Sequence, residues 1–205
     1  MTKPSEHSIL EAALETSEVV ADILMDDQVL SGIPVFGTVF NSLKTTNTIR
    51  DRIFAAKLSQ FIAETNARTA EKKREYREKL KADPDASRRV GETLLLVLEN
   101  LTDMDKPRLL GRVFIAYLED AITVEELKRL SQAIQVAFMD DLARLLNAEG
   151  SPAGSQEPWM ESLLPSGLIR IVGGKSVWSA VGDIFYEITP IGKKLRNACF
   201  RMGTE

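Results

Sequence analysis

The chain of 205 residues has one cysteine, Cys199, and one histidine, His7. A disulfide within one chain is therefore excluded, and so is a zinc site built from Cys and His ligands. A Ser-His-Asp or Cys-His catalytic arrangement would have to rest on His7 alone, close to the start of the sequence. Aromatic residues are few, at 6%. The longest uncharged run, Gln28 to Leu43, is sixteen residues and contains Gly32, Pro34 and Gly37. A spanning helix needs about 20 apolar residues, so this run is too short and too interrupted to cross a bilayer as one helix. Glu6, Glu11, Glu15 and Glu18 interrupt any apolar region of a signal peptide, which gives the expectation of a cytoplasmic protein in a reducing compartment.

What is present is an ordinary globular mixture, 44% hydrophobic and 27% charged. The net charge of −4 is distributed in blocks: −6 over 1–43, +6 over 44–81, −5 over 82–150 and +1 over 151–205. A basic block between acidic ones suits phosphates, anionic lipid or the protein's own acidic helices.

Helical periodicity dominates. Ile9, Ala13, Thr16, Val20 and Ile23 recur at steps of three and four, predicting an amphipathic helix from about Ser5 to Asp27. Val90, Leu94, Val97, Leu98 and Leu101 repeat the pattern behind Asp83-Pro84, a cap residue and a first-turn proline. Another helix opens at Asp105-Lys106-Pro107 and turns Leu110, Val113, Phe114 and either Tyr117 or Leu118 inward. Thr123 and Glu126 have the spacing of a capping box, and behind them Leu127, Leu130, Ile134, Phe138, Leu142 and Leu145 form one stripe to Asn147. The segment Glu71 to Lys81 is almost wholly charged and reads as a solvated connecting helix. The predicted organisation is N-terminal helices over 1–66, the charged connector over 67–82, an antiparallel helical bundle over 83–147, a Gly/Pro-rich linker over 148–158, and a tail over 159–205.

Two segments bear on function. Gln28 to Leu43 admits two readings. In one, it is the buried broken helix or hairpin of the domain, with Gly32-Ile33-Pro34 as its corner. In the other, it lies in a membrane interface, with Val35, Phe36, Val39 and Phe40 toward lipid and Lys44, Arg50, Arg52 and Lys57 meeting anionic headgroups.

The second segment is the tail. Gly167-Leu168-Ile169 is followed by Tyr186, Ile188, Thr189, Gly192 and Leu195 at the spacing Tyr-x-Ile-Thr-x-x-Gly-x-x-Leu. Over about 45 residues this resembles the end of a winged-helix module, which implies a helix, a β-hairpin wing and a closing helix. The alternation of Ile184, Tyr186 and Ile188 and the Thr189-Pro190 start agree with that shape. In such modules the helix before the hairpin enters the major groove and carries basic or amide side chains. Here Trp159 to Ser166 contains no base, so Arg170, Lys175, Lys193, Lys194 and Arg196 are the candidates for phosphate or partner contact. Helices 90–147 also resemble uncharacterised helical proteins of bacteria and their phages.

No motif carries catalytic chemistry. Gly173-Gly174-Lys175-Ser176 lacks the earlier glycine of a phosphate loop. The acid pairs Asp26-Asp27, Glu119-Asp120, Glu125-Glu126 and Asp140-Asp141 point about 100° apart on a helix and read as solvated faces. The expectation is a mainly α protein, a helical bundle body with a small winged-helix-like α+β module. It is expected to be a non-enzymatic interaction or regulatory protein that needs no cofactor or metal. Its body would self-associate or bind a protein partner, and its tail would contact protein or nucleic acid. The alternative is an effector that docks on an anionic membrane surface through residues 28–57, peripheral to the inner membrane face.

Overall fold

The computed structural model describes residues 29–45, 48–148, 157–172 and 184–200. The helix read from Ser5 to Asp27 lies outside the described residues, as do Lys175 and residues 149–156 of the linker. The chain is mainly α, with one two-stranded antiparallel sheet near the C-terminus. Contacts divide it into two compact units, Met1–Gly111 and Arg112–Glu205.

Among its described residues the N-terminal unit runs from a 3-10 turn, Leu30–Gly32, through α1 (Pro34–Thr45), α2 (Ile49–Asn66), α3 (Ala70–Ala82) and α4 (Pro84–Asn100). Pro34 cannot donate a backbone hydrogen bond and disfavours helix in the residue before it. Ile33 is accordingly extended, with φ −110° and ψ 110°, and the chain turns its corner there. Val29, Leu30, Ile33 and Phe36 are buried, so the front of the uncharged run is core. Phe36 stacks in parallel on Phe61 of α2, with ring centroids 6.5 Å apart. Gly91 lets α1 approach α4: a Cβ there would stand 2.6 Å from Val35 Cγ2 and nearer still to Ile33.

Helix starts follow their caps. Thr48 and Asp51 form a reciprocal capping box at α2, and the Asp83 carboxylate accepts from Ala86 N–H at 2.9 Å at α4. The charged helix α3 is a correction to the sequence reading. Tyr76 and Leu80, four residues apart on one stripe, are both buried, and α3 packs against α4 and the 3-10 turn. Two large apolar side chains at the right spacing outweigh mixed charge elsewhere on the helix.

The division between units falls within α5 (Lys106–Leu118). Periodicity alone grouped 83–147 as one bundle, whereas contacts place α4 with the N-terminal unit and α6 (Val124–Val136) and α7 (Met139–Asn147) with the C-terminal unit.

In the C-terminal unit Thr123 and Glu126 form the expected capping box for α6. The single stripe to Asn147 is broken. Ala137 and Phe138 are both extended, with ψ 149° and 140°, and α7 starts afresh with Asp140 and Asp141 in its first turn. Acids there suit the positive end of the helix dipole. Leu142 and Leu145 stay buried, but Phe138 is turned out and 73% exposed.

After a short helix α8 (Pro158–Ser162), strands β1 (Ile169–Val172) and β2 (Phe185–Ile188) pair antiparallel, Ile169 opposite Ile188 and Val172 opposite Phe185. Helix α9 (Pro190–Phe200) closes onto α6, α7 and β2. This is the hairpin and closing helix implied by the winged-helix resemblance, and its motif residues are structural. Tyr186, Ile188, Gly192 and Leu195 are buried. The Thr189 hydroxyl donates to the Gly167 carbonyl at 2.8 Å and accepts from Gly192 N–H at 3.1 Å, tying strand, turn and helix together.

Candidate functional site

The C-terminal cations are mostly committed within their own unit. The Arg170 guanidinium pairs with Glu187, its cross-strand neighbour in the hairpin. Lys194 Nζ lies 2.5 Å from Glu126 Oε1 and joins α9 to the capping box of α6. That ammonium and the Thr123 backbone N–H hold the Glu126 carboxyl below the usual carboxylate range. Arg196 donates to the Ala148 carbonyl and lies 5.9 Å from the centre of the Phe200 ring. Lys193 is exposed, and Lys175 lies outside the described residues. Among the described residues of the hairpin, Ile171 and Ile184 are exposed beside Arg170.

The residues read as a lipid surface separate into core and rim. Phe36 is fully buried and Val35 half-buried, so the surface of this unit has no Phe36 on it. Lys57 is 7% exposed. The side chains of Phe40 and Lys44 lie outside the described residues. Val39, Arg50 and Lys57 do come together, with residues the sequence reading did not single out, around a groove of about 500 Å³.

The groove is built from three helices of the N-terminal unit. Val39 comes from α1, Ile49, Arg50, Asp51, Ile53, Phe54 and Lys57 from the first turns of α2, and Leu95, Leu96 and Glu99 from the last turns of α4. The capping box fixes the start of α2 and with it the phase of its side chains. Ala55, Ala56, Leu58, Phe61 and Ile62 turn into the core, while Ile49, at 73% exposure, and Ile53 remain outside. On α4 the core stripe takes Leu94, Val97 and Leu98, leaving Leu95 half-buried and Leu96 62% exposed.

Lys57 supplies the polar group at the wall. Its Nζ donates to the Glu99 backbone carbonyl at 3.0 Å. The carbonyls of a helix's last turn have no intrahelical donor, and a lysine there also suits the negative end of the dipole. Burial lowers the Lys57 amine from its ordinary value, and the neighbouring Glu99 carboxylate partly opposes that shift. The Glu99 carboxylate itself pairs with Arg50 at the rim.

A second concavity, of about 120 Å³, lies wholly in the C-terminal unit among Arg112, Ile115, Glu119, Ile122, Lys194 and Asn197. Among the described residues no three His, Cys, Asp or Glu side chains gather as a metal ion would need, and no helix is long and apolar enough to cross a membrane.

The lining residues missed by sequence reasoning are Ile49, Asp51, Ile53, Phe54, Leu95, Leu96 and Glu99. One signal was available. Leu94 to Leu98 is five consecutive apolar residues on a predicted helix. Successive side chains turn about 100°, so such a run cannot enter one core stripe, and part of it must face elsewhere. No family model, curated protein or solved structure matches this chain.

Proposed function

We propose that the protein is a non-enzymatic interaction or regulatory protein that acts by receiving an apolar group in the groove of its N-terminal unit. One observation carries this: Ile49, Ile53 and Leu96, large apolar side chains from two helices, stand exposed around a single concavity. Exposed apolar residues scattered singly need no explanation, whereas a cluster lining a groove marks an interaction site. The C-terminal unit is read as a protein-contact module. Its exposed Ile171 and Ile184, and the internal partners of Arg170, Lys194 and Arg196, favour that over nucleic acid.

The test uses the neutral apolar dye Nile red with the full-length protein. The expected result is saturable binding that Leu96→Glu removes and Phe138→Ser, at an even more open position of the other unit, leaves unchanged. Equal effects of the two substitutions, or none, would put the apolar site elsewhere.

A second reading, docking on an anionic membrane surface through residues 28–57, is favoured by the first two turns of α2. There the exposed Ile49 and Ile53 flank Arg50 and Arg52. Flotation with anionic vesicles that is lost in Ile49→Glu and at high salt would support it. Absence of flotation with both anionic and neutral vesicles would remove it.

A further inference from the structure

The charges lining the groove balance, Arg50 and Lys57 against Asp51 and Glu99, so apolar surface rather than charge selects its occupant. A groove lined by apolar side chains of neighbouring helices is the form that receives the apolar face of a further helix. The sequence supplies such a helix immediately before the described residues. Glu11, Glu15, Glu18, Asp22 and Asp26 recur at steps of four, three, four and four, which places them within about 80° of one another around a helix. Leu10, Ala13, Ser17, Val20 and Leu24 recur at steps of three, four, three and four on the opposite side. Residues 1–28 join the described chain at Val29, which is buried in the N-terminal unit. The 3-10 turn holds Val29 close to Ile33, with Gly32 N–H donating to the Val29 carbonyl at 3.0 Å. Ile33 lies against Gly91 of α4, and Leu95 of the groove is one turn further, about 6 Å along that helix. Met25 to Gln28 link Leu24 to Val29 and extend to about 15 Å, so the tether reaches the groove within its own unit.

We infer that residues 5–27 form a helix whose apolar face occupies this groove in the same chain, turns the acidic stripe to solvent, and yields the groove to an apolar partner. The inference rests on the groove reading above and names the groove's resident occupant. A short tether holds the segment at an effective concentration on the order of 1 mM. A face that would bind the groove at only about 0.1 mM when untethered therefore fills it about nine-tenths of the time. An external ligand then binds about tenfold more weakly than it would to an open groove, because only the open fraction is competent. The cover is thus loose enough to be displaced and close enough to keep Ile49, Ile53 and Leu96 from indiscriminate contact.

The experiment titrates the full-length protein with Nile red. Leu10→Glu, which puts a carboxylate on the covering face, is expected to tighten dye binding about tenfold, and Val20→Glu to do the same. Glu18→Gln, on the acidic face, leaves it unchanged, and Leu96→Glu combined with Leu10→Glu removes the tightened binding. A photoreactive phenylalanine analogue replacing Leu96 gives a second readout. In monomeric protein, digestion is expected to release its peptide joined to one from residues 5–27 of the same chain. No tightening with either substitution, or a link only to a second copy or to a foreign protein, overturns the resident helix and leaves the groove standing. Tightening that persists in the Leu96→Glu background assigns the helix to another surface and overturns the inference. Absence in every variant of dye binding sensitive to Leu96→Glu overturns the groove reading as well.

Discussion

Substituting Gly192 by alanine should destabilise the C-terminal unit, although alanine is the better helix former. Gly192 is the third residue of α9, where the helix closes onto the hairpin. A Cβ there would stand 2.8 Å from Ile188 Cγ2 and closer still to the Leu168 carbonyl oxygen. That oxygen cannot swing away freely, because Thr189 donates to it from its backbone N–H at 2.9 Å. Overpacking of this kind costs about 1–3 kcal/mol, against a helix-propensity gain of about 1 kcal/mol at most. The net expectation is a loss of about 1–2 kcal/mol, which at typical slopes lowers the urea midpoint by about 1 M. The assay is unusually selective. Of the chain's two tryptophans neither falls within Met1–Gly111; Trp159 is half-buried in α8 and reports on the C-terminal unit, while Trp178 lies outside the described residues. The control is Gly37→Ala in α1, where an added Cβ meets nothing within 4 Å. There the same substitution should stabilise by about 0.5–1 kcal/mol, read by far-ultraviolet circular dichroism. A Gly192→Ala midpoint at or above that of the wild type would refute the packing argument.

Two further expectations concern pH. The folded-state pKa of Lys57 lies below its ordinary value, so across the interval between the two the unfolded chain binds more protons and stability rises with pH. Lys106, buried in the same unit, is lowered for the same reason and adds to the slope. Lys57→Met should therefore flatten, not abolish, the rise in dichroism-monitored stability toward the ordinary lysine range, and an unchanged slope would contradict the burial argument. Glu126 is also lowered, but by groups that stabilise its charged form rather than by burial. Its carboxyl is held down by Lys194 and Thr123, so its contribution is present above the ordinary glutamate pKa and is lost as pH falls through the lowered one. Glu126→Gln should weaken the acid sensitivity of the tryptophan-monitored transition while leaving the dichroism of the N-terminal unit unaffected.

Local signals were legible where chemistry and periodicity coincide. Asp83-Pro84 and the Thr123/Glu126 pair mark helix starts because a side chain must satisfy free backbone N–H groups there, and no distant contact is needed to read that. The tail motif was legible as shape, since Gly192 and Thr189 act within the hairpin and closing helix. What the sequence hid was the outcome of competition between faces. Tyr76 and Leu80 sit in a helix whose composition reads as solvent-exposed, yet burial of two side chains decides its packing. Phe138 continues an unbroken stripe on paper and is turned out by two extended residues. The groove belongs to the same class. Lys57 looks like a headgroup-binding lysine beside Arg50 and Arg52, but its amine reaches a helix end 42 residues away in sequence. The partners of such a contact are set by packing of α2 on α4, which local pattern does not specify.

The measurement that bears most directly on the groove as the binding surface is site-specific photo-crosslinking in the producing cells. A photoreactive phenylalanine analogue replaces Leu96 in one protein and Phe138 in another, both exposed apolar positions. The account predicts a discrete adduct mass from position 96, suppressed by Ile53→Glu on the opposite wall, and none from position 138. Identical adduct patterns from the two positions, or an adduct at 96 indifferent to Ile53→Glu, would contradict it.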